Sequence, residues 1–314
     1  MTRPRVVVAP SAGGQLAPLI EASGGVVVDD PAEADAIVWT DPGDPKGLKG
    51  LLGRSPARWV QLPFAGIESF FEANVIDPDR TWTCAKGIYG PATAEHAVAL
   101  TLAAARRLHA HARARTWTST ERVGSGFGAA ERRLKGTTIT VVGTGGIGRE
   151  YIRMIRPLEP RIVAVNRSGR VVGEADETMA VADIDEVLPR ADFVVLALSL
   201  TPASRGLLDA RRLALMKPDA WIVNVARGGV VDTGALVDAL RAGRVGGAAL
   251  DVTDPEPLPD GHPLWSLDNA LVTPHVANTW DMAVPELAGM VARNVERFAA
   301  GKPLEGLVDP SLGY

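Results

Sequence analysis

The stretch TITVVGTGGIGRE, Thr138 to Glu150, decides the fold of the second half of the chain. An apolar run typical of a β-strand leads directly into Gly143, Gly145 and Gly148, which have the spacing G-x-G-x-x-G and open a helical pattern. In such a turn the first glycine permits a tight bend, the second lets the backbone approach a pyrophosphate and the third allows close helix–strand packing. We therefore predict a dinucleotide-binding turn, against the alternative of a glycine turn with no ligand. The predicted cofactor contacts are Gly143, Gly145, Gly146, Ile147 and Gly148.

The stretch AVNRSGR, Ala164 to Arg170, ends the next predicted strand, where a protein that binds NAD carries an acid for the ribose 2′-hydroxyl. Asn166 removes the repulsion that an acid would exert on a 2′-phosphate. Arg167 supplies a cation and Ser168 a hydroxyl donor. Because a charge-assisted hydrogen bond is worth about 1.5–3 kcal/mol, we predict NADP(H) as the preferred cofactor. If Arg167 points into solvent instead, NAD(H) is accepted as well.

The whole chain alternates short β-branched runs with helical segments. RVVVAP, GVVVDD, AIVWT, WVQLP and TWTCA predict five strands in the first part, and TTITVVG, RIVAVN, DFVVLAL, AWIVNVA, GGAALD and NALVTPH predict six more. Uniformly apolar strands separated by helices indicate parallel sheets that are covered on both faces. We predict an α/β protein of two doubly wound parallel-sheet domains, a flavodoxin-like substrate domain and a Rossmann dinucleotide-binding domain.

The predicted domains are connected by two crossings of the chain. Residues 91–114 contain no internal helix breaker and predict one long interdomain helix. A last helix, from about residue 282 to residue 300, returns the chain to the first domain. We therefore assign residues 1–95 and 282–314 to the substrate domain, and residues 96–281 to the NAD(P)-binding domain.

Composition excludes several classes of protein. The chain has 314 residues and a formal net charge of -4, which gives no general attraction to nucleic acid or anionic membranes. The single cysteine, Cys84, allows no internal disulfide, and no compact His/Cys set indicates a metal site. No apolar run reaches the roughly 20 residues of a membrane span, and the start leaves no room for a signal peptide. We expect a cytoplasmic protein with no metal and no nucleic-acid or membrane partner.

Three later stretches, NVARGGVVD, ALDVTDPEPLP and LVTPHVANT, each follow a predicted strand of the second sheet. Ligands of open α/β sheets gather at the carboxyl ends of strands, so these stretches are expected to meet beside the cofactor. They would bring together Arg227, Glu256 and His275. Each residue also has an ordinary structural interpretation: a loop arginine on helix-end carbonyls, a solvated turn acid and a packed loop histidine.

The sequence resembles the D-isomer-specific 2-hydroxyacid dehydrogenase family, and within it glyoxylate and hydroxypyruvate reductases. The resemblance lies in GTGGIG, LSLTPASRGLLD, NVARGGVVD, ALDVTDPEPLP and TPHVANT, and in ATAEHAVALTLAAARR, which is similar to the family's interdomain helix. These motifs occur in family order from about residue 60 to residue 300. Together they are far more specific than any one of them alone.

The resemblance implies a role for each charged residue. Arg227 would hold the substrate carboxylate and polarise the reacting carbonyl, and His275 would give a proton to the carbonyl oxygen as hydride arrives. Glu256 would orient the imidazole and favour its protonated form. Asp251 would lie near the nicotinamide carboxamide. The remaining cofactor contacts that the motifs imply are Leu198, Thr201, Val225 and Ala226.

WVQLPFAGIESFF resembles the family's substrate-domain loop, in which backbone amides hold the substrate carboxylate. On that basis the predicted substrate contacts are Phe64, Ala65, Gly66, Ile67 and Trp280, together with Arg227 and His275. Glu68 stands where the family often has Asp, which leaves its packing role open. The apolar Leu62 and Phe64 add no cation, which argues against a phosphorylated acid.

The leading hypothesis is an enzyme, an NADPH-preferring 2-oxoacid reductase that makes D-2-hydroxy acids from a small substrate such as glyoxylate or hydroxypyruvate. Phosphoglycerate and phosphite dehydrogenases are the nearest alternatives, whereas formate dehydrogenases carry Gln where this chain has Glu256. A dinucleotide-sensing co-repressor is an alternative of another class.

We also expect a homodimer, built through the region of ATAEHAVALTLAAARR, and closure of the two domains around the ligands. His96, His109 and His111 are interpreted as structural or exposed residues of the long helix, and His262 as a loop residue.

Overall fold

The computed structural model describes residues 3–11, 14–117 and 131–310. The chain forms two compact units. Unit 1 comprises Met1–Tyr89 and Thr279–Tyr314, and unit 2 comprises Gly90–Asn278. Each unit contains one parallel β-sheet with helices on its faces.

The strands and helices follow one another in the alternation that the sequence predicts. The strands are β1 (Arg5–Ala9), β2 (Val26–Val27), β3 (Ala36–Trp39), β4 (Trp59–Gln61), β5 (Thr81–Thr83), β6 (Thr138–Val142), β7 (Arg161–Asn166), β8 (Glu177–Ala180), β9 (Phe193–Leu196), β10 (Trp221–Asn224), β11 (Gly247–Leu250) and β12 (Ala270–Val272). The α-helices are α1 (Leu16–Ala22), α2 (Pro45–Leu52), α3 (Glu68–Glu72), α4 (Gly90–Ala105), α5 (Leu108–Ala114), α6 (Gly146–Ile155), α7 (Ile184–Val187), α8 (Ala210–Leu213), α9 (Thr233–Arg241) and α10 (Trp280–Ala299). Short 3-10 turns occupy Pro31–Glu33, Arg156–Leu158, Val181–Asp183, Leu188–Arg190, Gly228–Val230 and Pro263–Trp265.

The sheet of unit 1 has the strand order β2-β1-β3-β4-β5, with every pair parallel. This is the order of flavodoxin-like folds, as predicted. Helix α10 buries Leu287, Val291 and Val295 in the same apolar cluster as Ile20 of α1. Helix α10, near the end of the chain, therefore completes the core of unit 1, which is formed mainly by the N-terminal residues.

The sheet of unit 2 has the order β12-β11-β10-β9-β6-β7-β8, again with parallel pairs. Its strand order reverses between β6 and β9, which is the switch point of a Rossmann fold. Strand β7 shows why the strands are apolar throughout: Ile162 and Ala164 enter one core cluster, whereas Val163 and Val165 enter the other. Both faces of the sheet are buried, and the predicted fold class is confirmed.

The single long helix predicted for residues 91–114 is wrong, because the structure has two helices there. Helix α4 ends at Ala105, Arg107 adopts a left-handed conformation with φ 50°, and α5 begins at Leu108. Nothing in the local sequence demands this break. The change of direction lets His109 pack edge-on against Trp221 at 5.4 Å and contact the carbonyl oxygen of Asp268 at 3.1 Å.

Strand β8 was not predicted from the sequence. It has the sequence ETMA and lies at the edge of the second sheet beside β7, with all four residues only partly buried. An edge strand needs less apolar surface than a central one, so its sequence lacks the β-branched run that marked the other strands.

Candidate active site

The glycine turn after β6 has the shape that a dinucleotide requires. Gly143 has φ +97°, and a Cβ there would lie 2.3 Å from the carbonyl oxygen of Ala197. A Cβ on Gly148 would lie 1.9 Å from the carbonyl oxygen of Gly143, so helix and strand approach too closely for any side chain. A Cβ on Gly145 would meet nothing within 4 Å. Two glycines are thus needed for packing, and the third faces open space, while its predicted contact with a pyrophosphate stays a prediction.

Helix α6 adds an electrostatic reason for phosphate to bind at this turn. It begins at Gly146, next to Gly145, and no side chain caps its first turn, which also contains no acid. The backbone N–H groups at a helix N-terminus and the helix dipole both favour an anion. Gly146 and Ile147 thus occupy the first two helical positions.

The loop after β7 is organised by Asn166. Its side-chain oxygen accepts hydrogen bonds from the backbone amides of Ser168, at 3.2 Å, and Arg170, at 3.0 Å. Its amide nitrogen donates to the carbonyl oxygen of Arg170 at 2.7 Å. The polar atoms of Asn166 thus hold the loop together, and its predicted place beside the cofactor stays a prediction. Arg167, Ser168 and Arg170 are exposed on that loop.

The three charged residues follow neighbouring strands. Arg227 comes three residues after the end of β10, and the loop that follows β11 carries Asp251 and Glu256. His275 lies in the loop after β12. Because β10, β11 and β12 are adjacent and parallel, their carboxyl ends share one edge of the sheet. The three loops therefore lie at the same edge of the sheet, as the sequence predicted.

Arg227 is held by a close approach between two of these loops. A Cβ on Gly228 would lie 1.9 Å from the carbonyl carbon and oxygen of Thr253, so the β10 loop packs directly on the β11 loop. Asn224 is buried, accepts a hydrogen bond from the Ala226 amide at 3.0 Å and donates one to the Arg227 carbonyl at 3.0 Å. The guanidinium of Arg227 donates to the carbonyl oxygen of Ala226 at 2.8 Å.

His275 and Glu256 form an ion pair, in which Nδ1 of the imidazole lies 2.5 Å from Oε1 of the carboxylate. The hydrogen bond to Glu256 raises the pKa of His275 above its ordinary value of 6.5, although burial and the charge of Arg227 act in the opposite direction. The same hydrogen bond lowers the pKa of Glu256. The pair therefore favours imidazolium beside carboxylate, with Nε2 as the ring nitrogen that Glu256 does not bind.

The backbone of the His275 loop is fixed by Asp251. His275 has φ +53°, a left-handed conformation that is uncommon for a residue with a Cβ. Its amide donates to the carbonyl oxygen of Asp251 at 2.8 Å, and the amides of Val276 and Ala277 each donate to the carboxylate at 3.0 Å. The Thr273 hydroxyl is 2.6 Å from the Asp251 Oδ1 atom.

The Asp251 carboxylate is almost completely buried, at 1% side-chain exposure. Burial by itself would raise its pKa, but hydrogen bonds from His96, Thr273 and the two backbone amides outweigh burial and lower the pKa. The acid is thus ionised and holds the loop that carries His275. Its predicted contact with the nicotinamide carboxamide stays a prediction.

The other predicted cofactor contacts lie at the ends of β9 and β10. Leu198 follows β9 and is partly buried, and Thr201 forms a local turn in which its amide donates to the Ser204 hydroxyl at 2.8 Å. Val225 and Ala226 are buried directly after β10. Only their backbone and small apolar surfaces are suited to line a ligand site.

The predicted substrate loop belongs to unit 1. Phe64 is partly buried and packs against Tyr89 at 5.4 Å and against Trp280 at 5.9 Å between ring centroids. Ala65 is exposed and Gly66 partly buried, whereas Ile67 is 1% exposed and its side chain belongs to the core. Ile67 can therefore offer a ligand only its backbone.

Sequence reasoning missed Asn224, Thr273 and the contact of His96. Asn224 is a polar residue at the end of a buried apolar strand, a signal that could have indicated its role in the Arg227 turn. His96 lies on α4, and its Nε2 is 3.0 Å from the Thr273 hydroxyl and 3.3 Å from Asp251 Oδ1. No local pattern links residues so distant in the chain.

The remaining histidines have structural surroundings. His109 is buried against Trp221, as described for α5, and His111 contacts Glu131 at 2.8 Å. His262 accepts a hydrogen bond from the Leu264 amide at 3.3 Å.

Over the described ranges, no group of three or more His, Cys, Asp or Glu residues could hold a metal ion. In the same parts of the chain, no helix has the length and apolar character needed to cross a membrane.

Comparison with known proteins defines the class of this fold and site. Residues 98–277 match the family model described as D-isomer specific 2-hydroxyacid dehydrogenase, NAD binding domain. The chain belongs to the D-isomer-specific 2-hydroxyacid dehydrogenase family and is an NAD(P)-dependent oxidoreductase.

Known proteins are similar in sequence to this chain over most of its length. A Corynebacterium melassecola protein from the proB 3′ region is 37% identical, covering 94% of this chain and 95% of its own length. The glyoxylate reductase of Thermococcus litoralis is 32% identical, with 92% and 87% covered. The D-3-phosphoglycerate dehydrogenase of Archaeoglobus fulgidus also matches, at 35% identity, but the chain spans only 41% of its length.

A solved structure shares the fold over nearly the whole chain. The D-isomer specific 2-hydroxyacid dehydrogenase of Xanthobacter autotrophicus Py2, in complex with NADPH and MES, has a TM-score of 0.85 and 28% identity. The match covers 99% of this chain and 100% of that one.

Proposed function

We propose that the chain is an NADPH-preferring reductase of small 2-oxo acids, such as glyoxylate or hydroxypyruvate, that forms D-2-hydroxy acids. The observation that carries this proposal is the ion pair of His275 and Glu256 at the strand ends where Arg227 also lies. A protonated imidazole and a fixed guanidinium are the groups that reduction of a carbonyl beside a carboxylate requires. Glyoxylate reductases among the relatives support the same substrate class.

His275 supplies the proton in this proposal. Its Nδ1 faces Glu256, so Nε2 gives the proton to the carbonyl oxygen of the oxo acid. The bound cofactor supplies hydride to the carbonyl carbon, and the protein supplies position and charge. After the step, His275 is neutral and the product carries a hydroxyl group, and the reverse reaction returns the proton to Nε2.

Arg227 binds the substrate carboxylate. Its planar fork matches two carboxylate oxygens, and its charge also stabilises negative charge that develops on the carbonyl oxygen. The two-loop contact at Gly228 and the hydrogen bonds of Asn224 fix the backbone on both sides of it. Substrate binding thus takes place on a rigid turn.

The loop after β7 carries the proposed preference for NADPH. Arg167 and Arg170 place two positive charges close to Ser168. These charges attract the 2′-phosphate of NADPH. No acid stands at Asn166 to repel that phosphate. NADPH in the related Xanthobacter autotrophicus structure supports this assignment.

The loop of unit 1 supports a small substrate without a phosphate group. Residues 62–67, LPFAGI, contain no cation, and Phe64, Tyr89 and Trp280 present an aromatic cluster. We propose that the backbone of Ala65, Gly66 and Ile67 helps to bind the substrate carboxylate.

Exposed apolar residues of unit 2, Leu108 and Trp117, support a further proposal that the protein is a homodimer.

The proposed function is tested by a panel of substrates. Glyoxylate, hydroxypyruvate, pyruvate, phosphohydroxypyruvate and longer 2-oxo acids are reduced with NADPH, and the chirality of the product is determined. We expect the unphosphorylated small acids to react fastest and to give D products. Preference for phosphohydroxypyruvate would indicate a phosphoglycerate dehydrogenase instead, and binding of NADPH without turnover of any oxo acid would favour a sensing protein.

His275→Ala provides the accompanying variant. Loss of the proton donor is expected to lower kcat by about 10²- to 10⁴-fold, because a positioned acid contributes that much. NADPH binding, followed by fluorescence titration, should stay near the wild-type value. Wild-type turnover by this variant would contradict the assignment of His275.

A further inference from the structure

Helix α4 contributes a histidine to the network beneath the reacting groups. His96 lies six residues after the start of unit 2, and its side chain is 21% exposed. Its Nε2 atom is 3.0 Å from the Thr273 hydroxyl oxygen and 3.3 Å from Asp251 Oδ1. These contacts join α4 to the loops that follow β11 and β12.

The positions of the protons in this network follow from the chemistry of the three groups. Asp251 is ionised and can only accept, so the single hydroxyl proton of Thr273 lies in the 2.6 Å bond to Oδ1. The Thr273 oxygen must then accept from His96. His96 therefore carries a proton on Nε2, and that N–H is shared between Thr273 and Asp251.

His96 completes the set of donors around one carboxylate oxygen. Oδ1 of Asp251 is approached by the Thr273 hydroxyl, the Val276 amide and His96, while the Ala277 amide donates to Oδ2. Thr273 lies two residues before His275, Val276 and Ala277 directly follow it, and the His275 amide donates to the Asp251 carbonyl oxygen. Any rotation of the carboxylate would therefore disturb the backbone amides of Val276 and Ala277, which directly follow His275.

The network is important because the His275 loop is strained. A φ of +53° at a residue with a side chain persists only when surrounding contacts determine it. The carboxylate of Asp251 supplies those contacts, and its own orientation depends on the side chains of Thr273 and His96. A removed donor would let the loop relax without removing any group that reacts.

We propose that His96 is a positioning residue for the reaction, which acts through Asp251 and Thr273 to hold His275 in its working orientation. This inference rests on the proposed function, since it concerns the proton donor of that reaction. In this role His96 needs no contact with the oxo acid or the nicotinamide cofactor. It determines instead what fraction of the protein has His275 correctly placed.

The kinetic test compares two substitutions with opposite expectations. Gln can place its amide nitrogen near the position of Nε2, so His96→Gln should keep kcat within about 3-fold of wild type, because its N–H still reaches Asp251. His96→Asn is too short and should lower kcat by about 10- to 100-fold, the equivalent of one charge-assisted hydrogen bond. The Kd of NADPH should change little in either variant. His262→Gln, directly before the 3-10 turn Pro263–Trp265, is the matched control and should have wild-type kcat.

A second readout does not depend on activity. Long-range ¹H–¹⁵N spectra of the side chains of the five histidines, assigned with His96→Gln, should show His96 with a proton on Nε2. A bare Nε2 with the proton on Nδ1 would overturn the proposed network, as would equal kcat values for the Gln and Asn variants. If wild type reduces no 2-oxo acid, the proposed function fails, and the spectra still decide whether the network exists.

Discussion

Nδ1 of His275 lies 2.5 Å from Oε1 of Glu256, and the two residues come from loops that follow the adjacent strands β12 and β11. The carboxylate sets the charge state of the imidazole and leaves Nε2 for the substrate. A general acid is most useful when it is still protonated at the pH of the reaction. The pair gives His275 that property, because its pKa is raised above 6.5 by Glu256.

Glu256→Gln should shift the pH profile of reduction to lower pH. Reduction needs protonated His275, so kcat/KM falls as pH rises through the pKa of His275, and in wild type this fall lies above pH 6.5. Without the carboxylate that pKa decreases, and the fall should begin at lower pH. Profiles of kcat/KM against pH check this expectation, with Asp260→Asn in the same loop as control. An unmoved profile would mean that another group controls it.

Arg227→Lys should weaken use of the oxo acid while leaving the cofactor bound. Lysine keeps the charge but loses the planar fork, so one charge-assisted hydrogen bond is lost. We expect kcat/KM for the oxo acid to fall by about 10- to 100-fold. Steady-state kinetics with saturating NADPH measure this loss. An unchanged kcat/KM would show that Arg227 does not bind the carboxylate.

Arg167→Ala should act on NADPH and spare NADH. Removal of a cation from a 2′-phosphate is expected to raise the KM of NADPH by roughly 10- to 100-fold. The 2′-hydroxyl of NADH offers no charge for that cation, so its KM should stay close to wild type. The control is Arg244→Ala, an exposed arginine of the same unit. Equal effects on the two cofactors would remove Arg167 from the phosphate site.

Asn166→Asp should reverse part of the cofactor preference, with loss of the hydrogen bond that the Asn166 amide donates to the Arg170 carbonyl oxygen. Aspartate retains an oxygen that can accept from the Ser168 and Arg170 amides, as the Asn166 oxygen does. Its negative charge repels a 2′-phosphate, and its carboxylate oxygens accept hydrogen bonds from ribose hydroxyls. The ratio of kcat/KM for NADPH to that for NADH should fall by about 10-fold or more. A ratio equal to that of wild type would place the ribose elsewhere.

The proposed homodimer has its own test. Leu108 and Trp117 are 55% and 101% exposed, and burial of such apolar side chains against a second copy would stabilise a dimer. We expect light scattering at micromolar concentration to give twice the mass of one chain. The mass of a single chain would contradict the proposal and leave this surface for another partner.

Local rules were sufficient for the glycine turn and the parallel sheets. Gly143 and Gly148 were predictable because the turn's steric demands involve residues close in sequence. Arg227, Glu256 and His275 could be brought together because the carboxyl ends of adjacent parallel strands share one edge. Their catalytic roles stay predictions until variants are measured.

Tertiary contacts between distant residues account for what the sequence did not show. The break at Arg107 accompanies the packing of His109 against Trp221, and neither residue signals the other locally. The contact of His96 with Asp251 joins a helix to a loop across unit 2. The hydrogen bonds from the Ser168 and Arg170 amides to Asn166 were likewise not predicted, because they exist only in the folded loop.

The most direct test of the central claim is a comparison of NADPH and NADH as reductants of glyoxylate and hydroxypyruvate by the wild-type protein. The decrease in absorbance of each reduced cofactor gives kcat/KM under identical conditions. We expect turnover of at least one of these acids, with NADPH preferred by about 10-fold or more, because one charge-assisted contact at Arg167 is worth that much. Turnover with equal or greater efficiency for NADH would contradict the role of the Asn166–Arg170 loop, and no turnover with either cofactor would contradict the proposed reaction.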